Sequence, residues 1–200
     1  MGQRVAVMLD GAIQQVDTPQ ALYDRPANMF VAAFIGSPEM NLVRAQVDRD
    51  DAGFVCRVGD QRLSLPAQAL REPARLEACV GREVVLGLRP EILEAAALAA
   101  PGSSGAHILR GVAVAVETLG AERLVHFRIP DACVVTGGLL ESGETLEDDG
   151  TAPTAAGSLG SGVAVGRFSP SSGASVGATI DVTVDMSLAH VFDPETQLHL

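Results

Sequence analysis

The sequence predicts a mainly β protein, a small barrel or sandwich that follows a short α/β segment. Apolar residues make up 47% of the 200 residues, which is enough to build a buried core. From residue 41 onward, short runs of alternating polar and apolar residues recur between turn sequences rich in Asp and Gly. Residues 1–40 contain two helix start signals and one strong hairpin signal.

The first 40 residues carry this hairpin and two helix starts. Asp10-Gly11 is a hairpin turn sequence, and Thr18 and Asn28 can each cap the helix that follows. The predicted elements are a strand over residues 4–9, a strand over 12–16, a helix from Pro19 to about Arg25 and a helix over 29–35. So few elements cannot enclose a core of their own. We therefore expect this segment to be the end of a larger domain.

Two apolar pairs in this segment lack an evident partner within it. Phe30 and Phe34 are four residues apart and share one helix face, and Val5 and Val7 share one strand face. We expect Phe30 and Phe34 to dock against the missing domain. Without that domain, all four side chains should be exposed and residues 1–40 loosely held.

Residues 41–200 are predicted to be strands with two interruptions. The predicted strands cover residues 41–48, 53–58, 61–65, 82–88, 111–118, 122–129, 163–168 and 178–185. Residues 99–106 are rich in Pro, Gly and Ser, which predicts a loop. Residues 131–166 hold six carboxylates, no Arg and eight Gly, which predicts a flexible acidic insertion.

Composition and charge exclude several kinds of site. The net charge of −11 argues against nucleic-acid binding, which uses a basic surface. All 14 basic residues are Arg, so the sequence has no Lys for a phosphate-binding loop or a Schiff base. Cys56, Cys79 and Cys133 are widely spaced and predicted to be reduced thiols, which favours a cytoplasmic protein. The four His show no metal-ligand spacing, so no metal site is predicted.

Several motifs occur together in one order. They are GQRVAVMLDG, QQVDTP, LYDRPAN and FIGSP within residues 2–38, VLGLRPE in residues 85–91, VETLGAE in residues 116–122 and FDPET in residues 192–196. In this order they resemble the C-terminal part of the ATP-binding subunit of maltose-type, carbohydrate-importing ABC transporters, a group that includes trehalose and glycerol-phosphate importers. The resemblance covers nearly the whole chain except residues 99–106 and 131–166.

The resemblance implies two parts. Residues 1–40 would be the C-terminal remnant of the nucleotide-binding domain with its linker. Residues 41–200 would be an oligonucleotide-binding-like (OB, TOBE-type) regulatory domain with the acidic insertion. The family's P-loop, signature motif, Walker B acid and switch histidine have no counterpart here, so we expect a fragment that is not catalytic alone. ATP and Mg²⁺ belong to the full-length family, and we expect no cofactor in this chain.

The family's known organisation implies a function and partners. The chain would be a regulatory and dimerisation module that meets a second copy of the ATP-binding subunit, two permease subunits and a possible regulatory protein. It would lie in the cytoplasm, on the inner face of the membrane. The residues expected at regulatory or subunit interfaces are Arg89, Pro90, Glu91, Glu117, Gly120, Glu122, Phe192 and Asp193.

Other interpretations remain open at this point. The main one is a free-standing β-barrel that binds a small ligand; a nucleic-acid-binding barrel and an independent enzyme have less support. Arg89 could simply hold a strand end through an Arg–carboxylate pair. Glu117 and Glu122 are predicted to stand on opposite sides of a turn, where they would not act as a catalytic pair. Asp193 is predicted to open a turn.

Overall fold

The computed structural model describes residues 3–70, 72–98, 106–135 and 162–200. We call residues 3–40 the N-terminal segment and the described residues from 41 onward the β domain. The N-terminal segment contains β1 (Val5–Leu9), β2 (Ala12–Asp17), α1 (Pro19–Asp24) and α2 (Met29–Phe34). These elements confirm the predicted hairpin and both predicted helices.

The local signals of the N-terminal segment act as predicted. Asp10 and Gly11 both adopt positive φ angles, 49° and 80°, which the tight turn between β1 and β2 requires. The Thr18 hydroxyl accepts a hydrogen bond from the backbone N–H of Ala21 (3.2 Å) at the start of α1. The Asn28 side chain accepts one from the N–H of Val31 (2.9 Å) at the start of α2. Both caps satisfy backbone donors that a helix end leaves unpaired.

The β domain contains two antiparallel sheets. The six-stranded sheet has the order β13-β6-β3-β4-β5, with β10 also paired to β3, and the five-stranded sheet has the order β11-β9-β8-β12-β7. The strands are β3 (Asn41–Asp50), β4 (Gly53–Val58), β5 (Gln61–Leu65), β6 (Glu83–Leu88), β7 (Leu93–Ala95), β8 (Ala106–Thr118), β9 (Arg123–Arg128), β10 (Val134–Val135), β11 (Val163–Phe168), β12 (Thr179–Asp185) and β13 (His190–Phe192). One further short helix, α3, spans Pro73–Glu77. The predicted mainly β class is confirmed.

Three short strands were not predicted. They are β7, β10 and β13, each of two or three residues. Residues 136–161, which hold most of the predicted acidic insertion, and residues 99–105 of the predicted loop lie outside the described residues. The two ends of the predicted insertion are strands: β10 pairs with β3, and β11 pairs with β9. Ala106, placed in the predicted loop, begins β8.

The two sheets enclose a large apolar core. Among its members, Leu63, Leu86, Leu109, Phe127 and Phe168 are all less than 2% exposed. Each such side chain contributes about 1.5–3 kcal/mol through the burial of its apolar surface. This core explains why the β domain can hold its sheets without a disulfide among the described residues.

The N-terminal segment packs against the β domain through α2. Met29 and Ala33 of α2 share a buried cluster with Leu42 of β3, Val85 of β6 and Phe192 of β13. Because α2 is apolar on more than one face, it can contact the β domain and its own hairpin at the same time. The N-terminal segment therefore has a packing partner within this chain.

This packing changes what was expected of the four apolar side chains. Val7 and Phe30 are only 1% and 6% exposed, so the prediction that they would be exposed is wrong. They lie in a small cluster with Leu22 and Val31. Val5 and Phe34 are 38% and 61% exposed, as predicted. The stacking of Phe34 on Phe30, with ring centroids 5.7 Å apart, leaves Phe34 on the outer side.

Side-chain amides join the parts of the β domain. The amide nitrogen of Asn41 donates to the carbonyl oxygens of Leu88 (2.8 Å) and Val165 (2.9 Å), and its oxygen accepts from the N–H of Val165 (2.6 Å). Since Leu88 belongs to one sheet and Val165 to the other, Asn41 connects the two sheets. Gln61 forms a similar pair of hydrogen bonds with the backbone of Arg110.

Candidate functional site

Arg89 links the β domain to the N-terminal segment. It follows directly after β6 and is 3% exposed. One guanidinium nitrogen, Nη1, donates to the carbonyl oxygen of Ile35 (2.8 Å), and Nη2 donates to the carbonyl oxygen of Tyr23. The guanidinium carbon also lies 3.6 Å from the centroid of the Tyr23 ring, a cation–π contact. The side chain therefore holds the ends of both helices against the β domain.

The local sequence places this side chain. Pro90 begins a short 3-10 turn, and Arg89 has the extended backbone (φ −68°, ψ 143°) that a residue before proline favours. Gly36 follows α2 with a φ of 137°, and a Cβ there would lie 3.2 Å from Nη1 of Arg89. The FIGSP and VLGLRPE motifs therefore lie next to each other in the fold. VLGLRPE supplies the Arg89 guanidinium group, and Gly36 of FIGSP leaves space for it.

The surroundings of Arg89 are partly charged. Burial is the main cause that lowers the pKa of Arg89, while Tyr23, Glu91 and Asp24 act in the opposite direction. Burial and a hydrogen bond to Glu91 raise the pKa of Tyr23 to about 12. Two hydrogen bonds of Arg89 go to main-chain carbonyls of another segment. The alternative interpretation of Arg89, in which it only holds a strand end through an Arg–carboxylate pair, is thus incomplete, because it omits the hydrogen bonds to the N-terminal segment.

The C-terminal residues form a second link to the N-terminal segment. The carbonyl oxygen of Gln197 accepts a hydrogen bond from the N–H of Met29 (2.9 Å), and the N–H of His199 donates to the carbonyl of Ala27 (3.1 Å). The N–H of Leu200 donates to β13 (2.8 Å). Residues 197–200, at the end of the β domain, therefore bond both to the N-terminal segment and to β13. We call these residues the C-terminal strap.

A cavity of about 480 Å³ lies at this joint. Its lining includes Tyr23, Arg25, Arg89, Glu91, His190 and His199. Nδ1 of His190 and Nε2 of His199 are 3.2 Å apart, so the rings are hydrogen-bonded to each other. Among the described residues, no three His, Cys, Asp or Glu gather closely enough to hold a metal ion.

The β8–β9 turn carries three of the predicted interface residues. Glu117 accepts a hydrogen bond from Nε2 of His126 (2.8 Å), and Glu122 lies 3.3 Å from Nε of Arg167. The glutamates stand on the two sides of the turn, as predicted, and each has a basic partner. Gly120, with a φ of 70°, forms the turn and has open space around it.

Arg167 extends the joint toward this turn. Besides contacting Glu122, it donates from Nη2 to the carbonyl oxygen of Ser37 (2.8 Å) at the end of the N-terminal segment. The β8–β9 turn is thereby connected to the linker after α2 through one side chain. Nothing in the sequence pattern singled out Arg167.

The last two predicted interface residues have structural roles in this chain. Phe192 is fully buried and contacts the same cluster as Met29. A Cβ on Gly87 would come within 2.9 Å of the Phe192 ring, so glycine at that position makes room for it. Asp193 accepts hydrogen bonds from the N–H groups of Glu195 and Thr196, and the bond from Thr196 is the main cause that lowers its pKa. The predicted turn at Asp193 is present.

Tyr23, His190 and His199 were missed as members of the joint. Tyr23 stands in the LYDRPAN motif, but its contact with Arg89 joins residues 66 positions apart. His190 and His199 showed no metal-ligand spacing and were therefore set aside. Pro90 is buried and Glu91 exposed, so only the outer edge of the Arg89-Pro90-Glu91 motif faces solvent.

Comparisons with known proteins identify relatives. Residues 36–93 match the family described as the MalK OB fold domain. The chain is 39% identical over 196 residues to the trehalose/maltose import ATP-binding protein MalK of Thermococcus litoralis, covering 98% of this chain and 44% of that protein. It is 40% identical over 131 residues to the sn-glycerol-3-phosphate import ATP-binding protein UgpC of Cereibacter sphaeroides, covering 66% and 32%.

A third relative extends the range of solutes. The chain is 36% identical over 134 residues to the sulfoquinovosyl glycerol transport ATP-binding protein SmoE of Agrobacterium fabrum, covering 67% of this chain and 34% of that protein. The chain therefore spans less than half the length of these relatives. Among the described residues, no helix has the length and apolar character needed to cross a bilayer.

Proposed function

We propose that this chain is the regulatory and dimerisation part of an ATP-binding subunit of a carbohydrate-importing ABC transporter. Residues 36–93 match the MalK OB fold domain family, and the chain is homologous to ATP-binding subunits of such transporters. The identification of this family and of the OB fold from the sequence is confirmed. The proposed partners are a second copy, the permease subunits and a regulatory protein. The proposed location is the cytoplasmic face of the membrane.

The joint between the N-terminal segment and the β domain carries this proposal. Four connections cross it: the α2 cluster, Arg89, the C-terminal strap and Arg167. A regulatory domain can act only if a change in its position also moves the part that it regulates. Packed side chains and hydrogen bonds that hold two parts in one arrangement can do this. ATP and Mg²⁺ would be bound by the remainder of the subunit.

The hairpin offers a surface for that remainder. Met8, Ile13 and Val16 are 53%, 62% and 37% exposed, although all three are apolar, and the strand register places them on the face opposite to the buried Val7. A cluster of exposed apolar side chains on one small hairpin marks a contact surface. We propose that the rest of the ATP-binding subunit covers it, since the relatives are more than twice as long as the segment they share with this chain.

The outer face of the five-stranded sheet suits a second copy. Ile108 and Val112 of β8 are 52% and 38% exposed and flank Arg110. Arg110 forms two hydrogen bonds, of 2.8 and 3.2 Å, with Asp181 of β12. A two-fold axis beside this pair would bring the apolar side chains of both copies together. It would also place Arg110 of each copy near Asp181 of the other, so the surface is self-complementary.

Self-association of the chain tests this proposal. We expect sedimentation velocity to show a monomer–dimer equilibrium that shifts toward dimer as concentration rises. Ile108→Glu should weaken the dimer by tenfold or more, about 1.4 kcal/mol, because it places two carboxylates at the two-fold contact.

Ile13→Glu is the matched control, since Ile13 is also an exposed strand isoleucine, 62% exposed against 52% for Ile108, but lies on the hairpin. This control substitution should leave the dissociation constant of the dimer unchanged. A chain that stays monomeric at several hundred micromolar would contradict the dimerisation role and favour the free-standing ligand-binding module. Equal effects of the two substitutions would contradict the proposed surface.

A further inference from the structure

The C-terminal strap pairs with the N-terminal segment as one strand pairs with another. The N–H of Met29 donates to the carbonyl oxygen of Gln197 (2.9 Å). In the other direction, the N–H of His199 donates to the carbonyl oxygen of Ala27 (3.1 Å). The residues between these two bonds face each other as an antiparallel bridge. The backbone just before α2 therefore has the hydrogen-bond pattern of a sheet edge.

On its other side the strap pairs with β13. The N–H of Asp193 donates to the carbonyl oxygen of Leu198 (2.9 Å). The N–H of Leu200 donates to the carbonyl oxygen of Val191 (2.8 Å). Since β13 is itself paired with β6, the strap continues the six-stranded sheet and residues 27–29 lie beyond it. The strap therefore fills a space with two backbone edges as its walls, which we call the strap slot.

The strap is held mainly by its backbone. Leu200 is 8% exposed and packs in the main apolar core, whereas Leu198 is 47% exposed. Gln197 has a φ of 60°, a left-handed conformation that costs free energy for a residue other than glycine. The side chains of the α2 cluster, by contrast, are at most 4% exposed, and Arg89 is 3% exposed. We therefore expect the strap to open more readily than these two connections.

An open slot would present unpaired backbone groups. The N–H groups of Met29 and Asp193 would lose their acceptors on the strap. The carbonyl oxygens of Ala27 and Val191 would lose their donors. Edges of this kind bind another extended segment, because main-chain hydrogen bonds form with any sequence. The part of the core that holds the Leu200 side chain would select an aliphatic residue at one position.

We propose that the strap slot is a docking site for an extended segment of a partner protein, and that the strap occupies this site in the closed joint. The segment has an aliphatic side chain at the position of Leu200, and its backbone forms the four hydrogen bonds that the strap forms here. Because both walls of the slot would bond to it, such a partner contacts the β domain and the N-terminal segment at once. This inference rests neither on the transporter role nor on self-association.

Filling the slot with a separate peptide tests this proposal. Leu200→Asp replaces the buried leucine by a carboxylate, so the strap should open and the exchange protection of the Met29 N–H relative to β3 should fall at least about tenfold. The matched control, Leu198→Asp, changes an exposed leucine of the same strap and should leave this protection unchanged. An acetylated peptide with the sequence of residues 194–200, at about 1 mM, should restore the protection in Leu200→Asp. The same peptide carrying Leu200→Asp should not restore it.

Three results would overturn the proposal. If the peptide with the unchanged sequence restored no protection, the slot would not accept a separate strand. If both peptides restored it equally, the slot would not select an aliphatic residue. If Leu200→Asp abolished the dimer of the unchanged chain in sedimentation velocity, the strap of a second copy would be the occupant instead of a partner segment.

If Leu200→Asp fails to fold, the unchanged chain decides. The short turn before the strap holds it near the slot at an effective concentration of about 1 mM or more, so peptide at several times about 1 mM should compete with it. We expect the backbone NMR signals of residues 27–29 and 191–193 to shift, and a second set of signals to appear for residues 197–200. Signals that stay unchanged at all three places would contradict the proposal.

Discussion

Replacing Arg89 by Ala should lower the free energy of unfolding by about 3–5 kcal/mol and release α1 from the β domain. Two charge-assisted hydrogen bonds to the carbonyls of Tyr23 and Ile35 are lost, each worth about 1.5–3 kcal/mol. The cation–π contact with the Tyr23 ring, worth about 0.5–2 kcal/mol, is lost as well. The gain from no longer burying a charge offsets part of this sum. Urea unfolding followed by circular dichroism measures the change.

Two further variants separate the link from the charge. Arg89→Lys keeps the positive charge but cannot bond to both carbonyls with one planar group, so it should recover less than half of the loss. Arg128→Ala removes an exposed arginine from β9 and should stay within about 0.5 kcal/mol. A loss of less than 1 kcal/mol for Arg89→Ala would show that Arg89 does not hold the joint.

Replacing Asn41 by Ala should cost about 2–4 kcal/mol. The substitution removes three hydrogen bonds and leaves the N–H and carbonyl of Val165 and the carbonyl of Leu88 without this partner. A buried polar group left unpaired costs about 1–3 kcal/mol. Because Asn41 joins the two sheets, we expect the loss to be accompanied by faster exchange in β11, which lies at the edge of its sheet.

The matched control for Asn41 is Gln20→Ala. Gln20 also uses its amide, in a hydrogen bond of 2.9 Å to Asp24, but this bond is exposed on α1. The control should change stability by less than about 0.5 kcal/mol. If Asn41→Ala were as mild as the control, Asn41 would contribute little to the connection between the sheets, which would then rest on the apolar core and on the Gln61–Arg110 hydrogen bonds.

Local chemistry explains which elements could be predicted from the sequence. Asp10-Gly11, Thr18 and Asn28 act on residues within three positions of themselves, so their effects are visible in the sequence. Strands of five or six residues between two turn sequences, such as β4 and β5, were also predicted with the bounds that they have. In each case the signal and its structural result lie in one short stretch.

The remaining elements depend on partners far along the chain. β13 is a strand because it pairs with β6, about 100 residues earlier, and its three residues show no alternation of their own. The burial of Phe30 likewise depends on β1 and α1, whereas its spacing to Phe34 only showed a shared helix face. A pattern in one segment cannot reveal which other segment will cover it.

The same contrast between local signals and distant partners explains why only part of the candidate site could be predicted from the sequence. Arg89 and Glu91 stood out because they belong to a motif, but their contact with Tyr23 exists only in the fold. His190 and His199 are nine residues apart, and the turn at Asp193 reverses the chain so that the rings meet. Their spacing of nine residues corresponds to no periodic element, so no sequence pattern predicted that they would meet.

Hydrogen exchange of the unchanged chain at neutral pH tests the central claim most directly. The claim is that the N-terminal segment is fixed to the β domain as one unit. If so, α2 should exchange with a protection similar to that of β3 and β6, since it shares a buried cluster with both strands. Exchange of residues 19–34 at the rate of an unfolded chain, while β3 and β6 stay protected, would contradict the claim.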